Sequence, residues 1–351
     1  MRLEEIHRSG RTSWVDVPGG RAPAHHGDPA AEFEAARGAA GLVDRCHLGR
    51  LRIAGAQRLS YLQRITAQNF DGLVPPRGVR AALLERRGKI IEVISAHALD
   101  DHVLALTSAA LREEACGWIR RFIFRDDVQV EDVTESTGHL LLLGPHSAEV
   151  AAAWAGDAVA GLAPYAWAAH RERQDCIVIR DGSAAWEVFH VVGPRDGMGD
   201  VWVELLQAGQ EQGLQAVGEE AYQALRILRG VPEGGSEIDD RSNPMELGLH
   251  DAYDLNKGCY TGQEVLAKME THDSVKRRLV GLEFSGEALP EGVELRHEAG
   301  TVGRITSSAQ VPGSGRAVGL ALVAREHAAA GVTLRVEGGP EAQVTALPFP
   351  E

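Results

Sequence analysis

Asn256-Lys257-Gly258-Cys259-Tyr260-Thr261-Gly262-Gln263-Glu264 is the most informative stretch of this 351-residue chain. Thr261 and Glu264 stand in the T-x-x-E relation of a capping box, and Val265, Leu266 and Met269 follow as an apolar stripe, so a helix is expected to start at Thr261. Cys259 then falls just before a helix N-terminus. Outward N–H groups there, with the positive charge of Lys257, favour thiolate over thiol. Gly258 and Gly262 permit close backbone approach on either side. Residue chemistry alone leaves two readings of Cys259, a reactive thiol and a small buried hydrophobe.

Upstream of this stretch the patterning is that of an α+β chain. Leu51-Arg52-Ile53 alternates like a strand, and Leu59, Leu62 and Ile65 recur at helical spacing. Ala81 to Leu84 and Ile90 to Ala96 read as strands joined at Arg87-Gly88, with a third strand over Val103 to Thr107. Ser108 is the expected N-cap of a helix carrying Leu111, Ala115, Trp118, Ile119 and Phe122. A comparable unit follows, with strands at His139 to Leu143, Cys176 to Arg180 and Ala185 to Val192. Its helices are expected near Val201 to Gln212 and over Glu219 to Arg229. Downstream of Leu279, short alternating runs divided by Gly and Pro argue for a small antiparallel barrel. The first forty residues read as irregular or weakly helical.

Hydrophobic residues make up 44% and charged residues 25%, a globular composition, and aromatics are scarce at 5%. No run of 18 apolar residues occurs and Met1-Arg2-Leu3-Glu4-Glu5 has no apolar leader, so a soluble cytoplasmic protein without a membrane partner is expected. The formal charge of −14 repels phosphate backbones and counts against general nucleic-acid binding. Locally the balance reverses: Pro75 to Ile90 holds five bases and one acid, which suits either an anion-binding groove or a charge-protected hairpin edge. Cys46, Cys116, Cys176 and Cys259 are far apart, which fits neither a zinc site nor a disulfide framework. The closest histidine pairs, His25-His26 and His97 with His102, lack a Cys or acid at ligand spacing, so no metal site is expected.

The run Lys257 to Glu264 resembles the K-G-C-[FY]-x-G-Q-E signature of the YgfZ group of folate-binding proteins, relatives of the glycine-cleavage T-protein, an aminomethyltransferase. Gly41 to Arg50 is similar to that family's G-x-x-D-x-S-H-M-G segment, a place that would turn His47 toward the channel. Ala185-Trp186-Glu187-Val188 is similar to its G-[FY]-E-[LVI] strand, and Gln223 to Ile227 to a helix ending in Arg. The resemblance implies an α+β fold with two interleaved α+β domains and a C-terminal antiparallel β-barrel, in a ring around a central folate channel. The expected domains are 1–50 with 135–245, an inserted 51–134, a signature and linker helix over 246–278, and a barrel over 279–351.

Carried over position by position, the resemblance implies that Glu187 binds the pterin through two parallel charge-assisted hydrogen bonds. Thr107 and Arg226 are further expected folate contacts, and Cys259 with Lys257 the functional thiol and its neighbour. Two family positions differ. Val93 stands where aminomethyltransferases carry an acid, and Tyr222 stands where they carry an Arg. Valine cannot exchange a proton, so genuine aminomethyl transfer is not expected. The implied function is tetrahydrofolate binding in the assembly or repair of iron-sulfur clusters, with iron-sulfur client or assembly proteins as partners and tRNA-modifying enzymes among those supported. A one-carbon transferase is the alternative, and a ligand-free interaction module is a third.

Overall fold

The computed structural model describes residues 2–182, 187–298 and 300–350, so Ala185 and Trp186 of the expected strand lie outside the described residues. The chain forms two compact units. The first is Met1–Gln63, Phe70–Arg80 and Ile94–Tyr222, and the second is Arg64–Asn69, Ala81–Val93 and Gln223–Glu351.

The alternation read from Leu51 onward is realised as strands Gly49–Ala54, Gly78–Leu84, Ile90–Ala98 and His102–Thr107, with helix Arg58–Ile65 after the first. With Gln129–Asp132 they form a five-stranded sheet in the order Gly78–Leu84, Ile90–Ala98, His102–Thr107, Gly49–Ala54, Gln129–Asp132. A six-stranded sheet runs Trp167–Ala169, Ile177–Arg180, Val188–Pro194, Thr137–Leu143, Ala40–Asp44, Leu214–Val217. Its last pair is parallel, the others antiparallel.

Strand periodicity splits this sheet's side chains between two faces. On one face Leu140, Leu142, Val178, Phe189 and Val191 pack with Trp154 of helix Ser147–Ala155 and with Met198, Trp202 and Leu205 of helix Met198–Ala208. Each such side chain contributes roughly 1.5–3 kcal/mol on burial. On the other face Ile177, Ile179 and Val192 meet Leu104 and Leu106 of the five-stranded sheet. In the second unit, strands Arg277–Ser285, Arg316–Ala324, Gly300–Gln310, Glu294–His297, Thr333–Val336 and Glu341–Thr345 close, in that order, into an antiparallel barrel. Its interior is filled by Val280, Leu282, Phe284, Ile305, Ala321 and neighbours.

Three expectations need correction. The first forty residues are regular: helix Leu3–Ser9, a hairpin of Ser13–Val17 with Gly20–His25, and helix Pro29–Gly38. The last is capped by Asp28, whose carboxylate accepts from Ala30 and Ala31 N–H at 3.1 and 3.2 Å. The helix expected from Ser108 begins at Arg112, and the Ser108 hydroxyl accepts Leu111 N–H at 3.2 Å in the turn that precedes it. The helix expected from Thr261 begins at Gln263, with Gly262 as its N-cap and no side-chain cap bond. The capping box does not form, since the exposed Glu264 turns down the helix to Lys268 at 2.7 Å.

Candidate functional site

Within the second unit, the 257–264 stretch is a clamped loop that leaves Gly258, Cys259 and Glu264 exposed. Lys257 Nζ donates to the carbonyls of Thr66 and Gln68 at 2.8 and 2.5 Å and lies 5.5 Å from the Tyr260 ring centroid. Gln263 Nε2 donates to Leu255 O at 2.9 Å. Gly262 has φ +86, and a Cβ there would stand 2.8 Å from Glu85 O and 3.1 Å from Gly88 Cα, so the turn over residues 85–88 requires a glycine opposite it. Tyr260 is buried, and burial pushes its phenol pKa up.

Cys259 is exposed, in a cleft of about 480 Å³ that Arg64 and Arg86 also line. Three residues separate it from the first residue of the helix, more than the one the sequence implied. All four cysteines are free thiols, and Cys116 and Cys176 are buried. Burial raises the thiol pKa of Cys46, Cys116 and Cys176, that of Cys176 to about 11. Arg226 is also in this unit and 3% exposed, and its guanidinium donates to Glu237, Gln223, Ser307 Oγ and Val231 O. Val93 is buried, and Glu92, 1% exposed, accepts the Val93 N–H at 2.8 Å.

Within the first unit, Glu187 is half-buried with Oε1 3.3 Å from Arg180 Nη2, and its carbonyl accepts from Gly144 N and Ser147 Oγ. Thr107, 4% exposed, donates its hydroxyl to Ser108 O at 3.1 Å. The Tyr222 ring lies 4.2 Å under the Arg45 guanidinium, whose Nη1 holds both carboxylate oxygens of Glu219. His47 lines a cavity of about 720 Å³ with Asp44, Cys46 and Arg195.

This unit also holds a polar seam that sequence reasoning missed. Register puts His190 opposite Ile179 and His139 opposite Val192, hence on the face that meets the five-stranded sheet. On that sheet Ser95 pairs with Leu106 and His97 with Leu104, the side facing back. Four polar residues therefore interrupt an apolar contact between two sheets. His139 Nε2 lies 2.9 Å from His190 Nδ1, and His190 Nε2 lies 2.9 Å from Asp181 Oδ2. His139 Nδ1 is buried with no hydrogen-bond partner. His97 Nδ1 lies 3.0 Å from Tyr165 O, and its Nε2 lies 2.9 Å from Ser95 Oγ.

A Cβ at Gly78 would stand 2.4 Å from His97 Nδ1, so a glycine makes room for this ring. Burial pulls the pKa of His97 down to about 4, and burial with the neighbouring His190, Arg50 and Arg45 holds His139 well below the ordinary range. The sequence signal was present, since His139 and His190 stand in otherwise apolar strands, but 51 residues separate them. Among the described residues, no group of three His, Cys, Asp or Glu side chains is placed to hold a metal ion, and no helix is long and apolar enough to cross a membrane.

A mixed α/β chain ending in a closed six-stranded antiparallel barrel is the fold of the glycine cleavage T-proteins. The crystal structure of the glycine cleavage system aminomethyltransferase T from Bartonella henselae matches it with a TM-score of 0.87, over 100% of this chain and 98% of that one, at 20% identity. The chain belongs to that family: residues 3–257 match the GCVT N-terminal domain and residues 277–350 the glycine cleavage T-protein C-terminal barrel domain. Curated relatives include an aminomethyltransferase of Lysinibacillus sphaericus, 26% identical over 95% of this chain and 92% of its own. Another is a putative chloroplastic transferase of Arabidopsis thaliana, 29% identical over 88% of this chain and 71% of its own.

Proposed function

We propose that this protein binds tetrahydrofolate and serves, in the cytoplasm, the assembly or repair of iron-sulfur clusters in partner enzymes, tRNA-modifying ones among them. In this reading it is of the YgfZ kind. The observation that carries the reading is Cys259, an exposed thiol in a loop that Lys257 and Gln263 clamp to neighbouring backbone carbonyls. A thiol held outward on a rigid loop suits a transient encounter with a cluster or client, whereas a packed structural cysteine has no need of exposure.

Folate fits the chemistry of the first unit. Glu187 keeps a partly exposed carboxylate that can take the pterin amide and amino group. Thr107 is the second residue assigned to hold it. Arg226 is assigned only a supporting part, since its donors serve the second unit's own carboxylates. When bound, tetrahydrofolate supplies a nitrogen able to accept a one-carbon unit.

A second reading, folate-dependent aminomethyl transfer, is favoured by the names of the relatives. Val93 weighs against it, because a buried valine beside a carboxylate already bonded to the backbone leaves no acid at that position. The experiment is complementation of a strain lacking the family member, read as iron-sulfur enzyme activity. Wild type should restore it and Cys259→Ser should not. Full rescue by the serine variant would refute the thiol's role.

A further inference from the structure

The bases between Pro75 and Ile90 suit either an anion-binding groove or a charge-protected hairpin edge, and within the second unit the structure divides them. Lys89 is committed, since its Nζ donates to Arg241 O at 2.7 Å and lies 3.6 Å from Glu246 Oε2. Arg86 is not: it is exposed and makes no hydrogen bond or ion pair among the described residues. It belongs to the turn over residues 85–88, and that turn is packed on the signature loop. A Cβ at Gly262 would meet Glu85 O, and one at Gly88 would stand 3.3 Å from Val265. Arg86 is thereby carried into the cleft where Cys259 is exposed, and Arg64 lines the same cleft. Glu264 lines it too, but its carboxylate is answered by Lys268 at 2.7 Å. The guanidinium groups therefore set the sign of the local field, on a chain whose net charge is −14.

The cleft volume of about 480 Å³ is that of a small-molecule site, not of a macromolecular face. We propose that Cys259 exchanges selectively with low-molecular-weight disulfides that carry carboxylates, oxidised glutathione being the type, with Arg64 and Arg86 holding the carboxylates through charge-assisted hydrogen bonds. Cys259 Sγ, as thiolate, attacks one sulfur of the disulfide; a new S–S bond forms, the old one breaks, and the departing thiolate takes up the proton that Cys259 gave away. The disulfide is the oxidant and Cys259 is oxidised. The inference deepens the reading of Cys259 as the functional thiol and rests on it for its consequence: a capped thiol cannot meet a cluster or client, and reduction restores it.

The test follows full-length protein by peptide mass spectrometry, so that modification at Cys259 is read apart from Cys46, Cys116 and Cys176. Anionic oxidised glutathione, cationic cystamine and neutral bis(2-hydroxyethyl) disulfide are compared near pH 8, each rate divided by that of a neutral model thiol. At low salt Cys259 should favour oxidised glutathione over cystamine by about tenfold or more, the lower end of steering by a charged cleft, although the chain as a whole attracts the cation. Arg64→Gln with Arg86→Gln should abolish the preference and leave the rate with the neutral disulfide unchanged. Salt at about 1 M should remove it from wild type. Equal normalised rates in wild type overturn the inference, even if the double variant folds poorly, and a preference kept by the folded double variant overturns it as well. Full rescue of the strain by Cys259→Ser would refute the functional reading and leave the exchange standing, whereas exchange without preference would do the reverse.

Discussion

Acidification should destabilise the first unit through His97, by an amount the structure sets. The ring is 0% exposed, and burial, with a smaller push from His190, lowers its pKa to about 4 against the opposing pull of the Tyr165 carbonyl and Asp181. Unfolded, the same side chain titrates near 6.5. Between those values the unfolded chain binds a proton that the folded one refuses, so stability rises with pH, is complete above about pH 6.5 and falls as pH drops toward 4. From about pH 8 to about pH 5 the loss from His97 alone is about 2 kcal/mol.

His139 and His26, also lowered by burial, add to the wild-type slope, so the informative quantity is a difference. Urea unfolding of wild type and His97→Gln at the two pH values supplies it, since glutamine carries no titrating group. The variant is expected to be less stable near pH 8 and to lose about 2 kcal/mol less on acidification. Carboxylates with lowered pKa, Asp101 at about 2 among them, act below this window. Equal losses in the two proteins would refute the account of His97 as a buried neutral base.

Three further outcomes are expected. Cys259 should alkylate faster than Cys46, Cys116 or Cys176 in single-cysteine variants near pH 8, because it alone is exposed while burial raises the other three; equal rates would contradict this. Gly262→Ala should destabilise the second unit by about 2 kcal/mol or more, from a left-handed backbone and a Cβ 2.8 Å from Glu85 O, seen as a lower urea midpoint; an unchanged midpoint would refute the close approach. Release of a one-carbon unit from an aminomethylated carrier, with tetrahydrofolate saturating, should fall about 10²- to 10⁴-fold below that of a true aminomethyltransferase; comparable turnover would promote the enzyme reading.

The parts legible in the sequence were those where burial imposes a pattern. The strands around Ala81–Leu84 and Val103–Thr107 announce themselves as short apolar runs buried at every position, and the barrel strands Thr333–Val336 and Glu341–Thr345 by alternation. The N-terminal hairpin does not, since Ser13–Val17 buries none of its five residues and so carries no alternation. Thr261 to Glu264 misled for a different reason. The spacing of a capping box is local, but the close approach of the turn over residues 85–88 demands a left-handed glycine at 262, and that moves the start of the helix.

The candidate site divides the same way. Cys259 was found because its neighbours form one continuous motif. The chain of Asp181, His190 and His139 was not, because it is assembled by sheet register between strands far apart in sequence. Lys257 was expected beside the thiol as a charge, and the structure shows what its position serves, a strap onto two backbone carbonyls.

Reduced folate is expected to bind with its pterin held by Glu187. Calorimetric titration of tetrahydrofolate into wild type and Glu187→Ala, side by side, tests it most directly. Wild type should bind saturably and the variant roughly ten- to hundredfold more weakly, the loss of charge-assisted bonds of about 1.5–3 kcal/mol, with folding unchanged. Binding of equal strength by both would remove Glu187 from the site, and an absence of binding by wild type would contradict the claim itself.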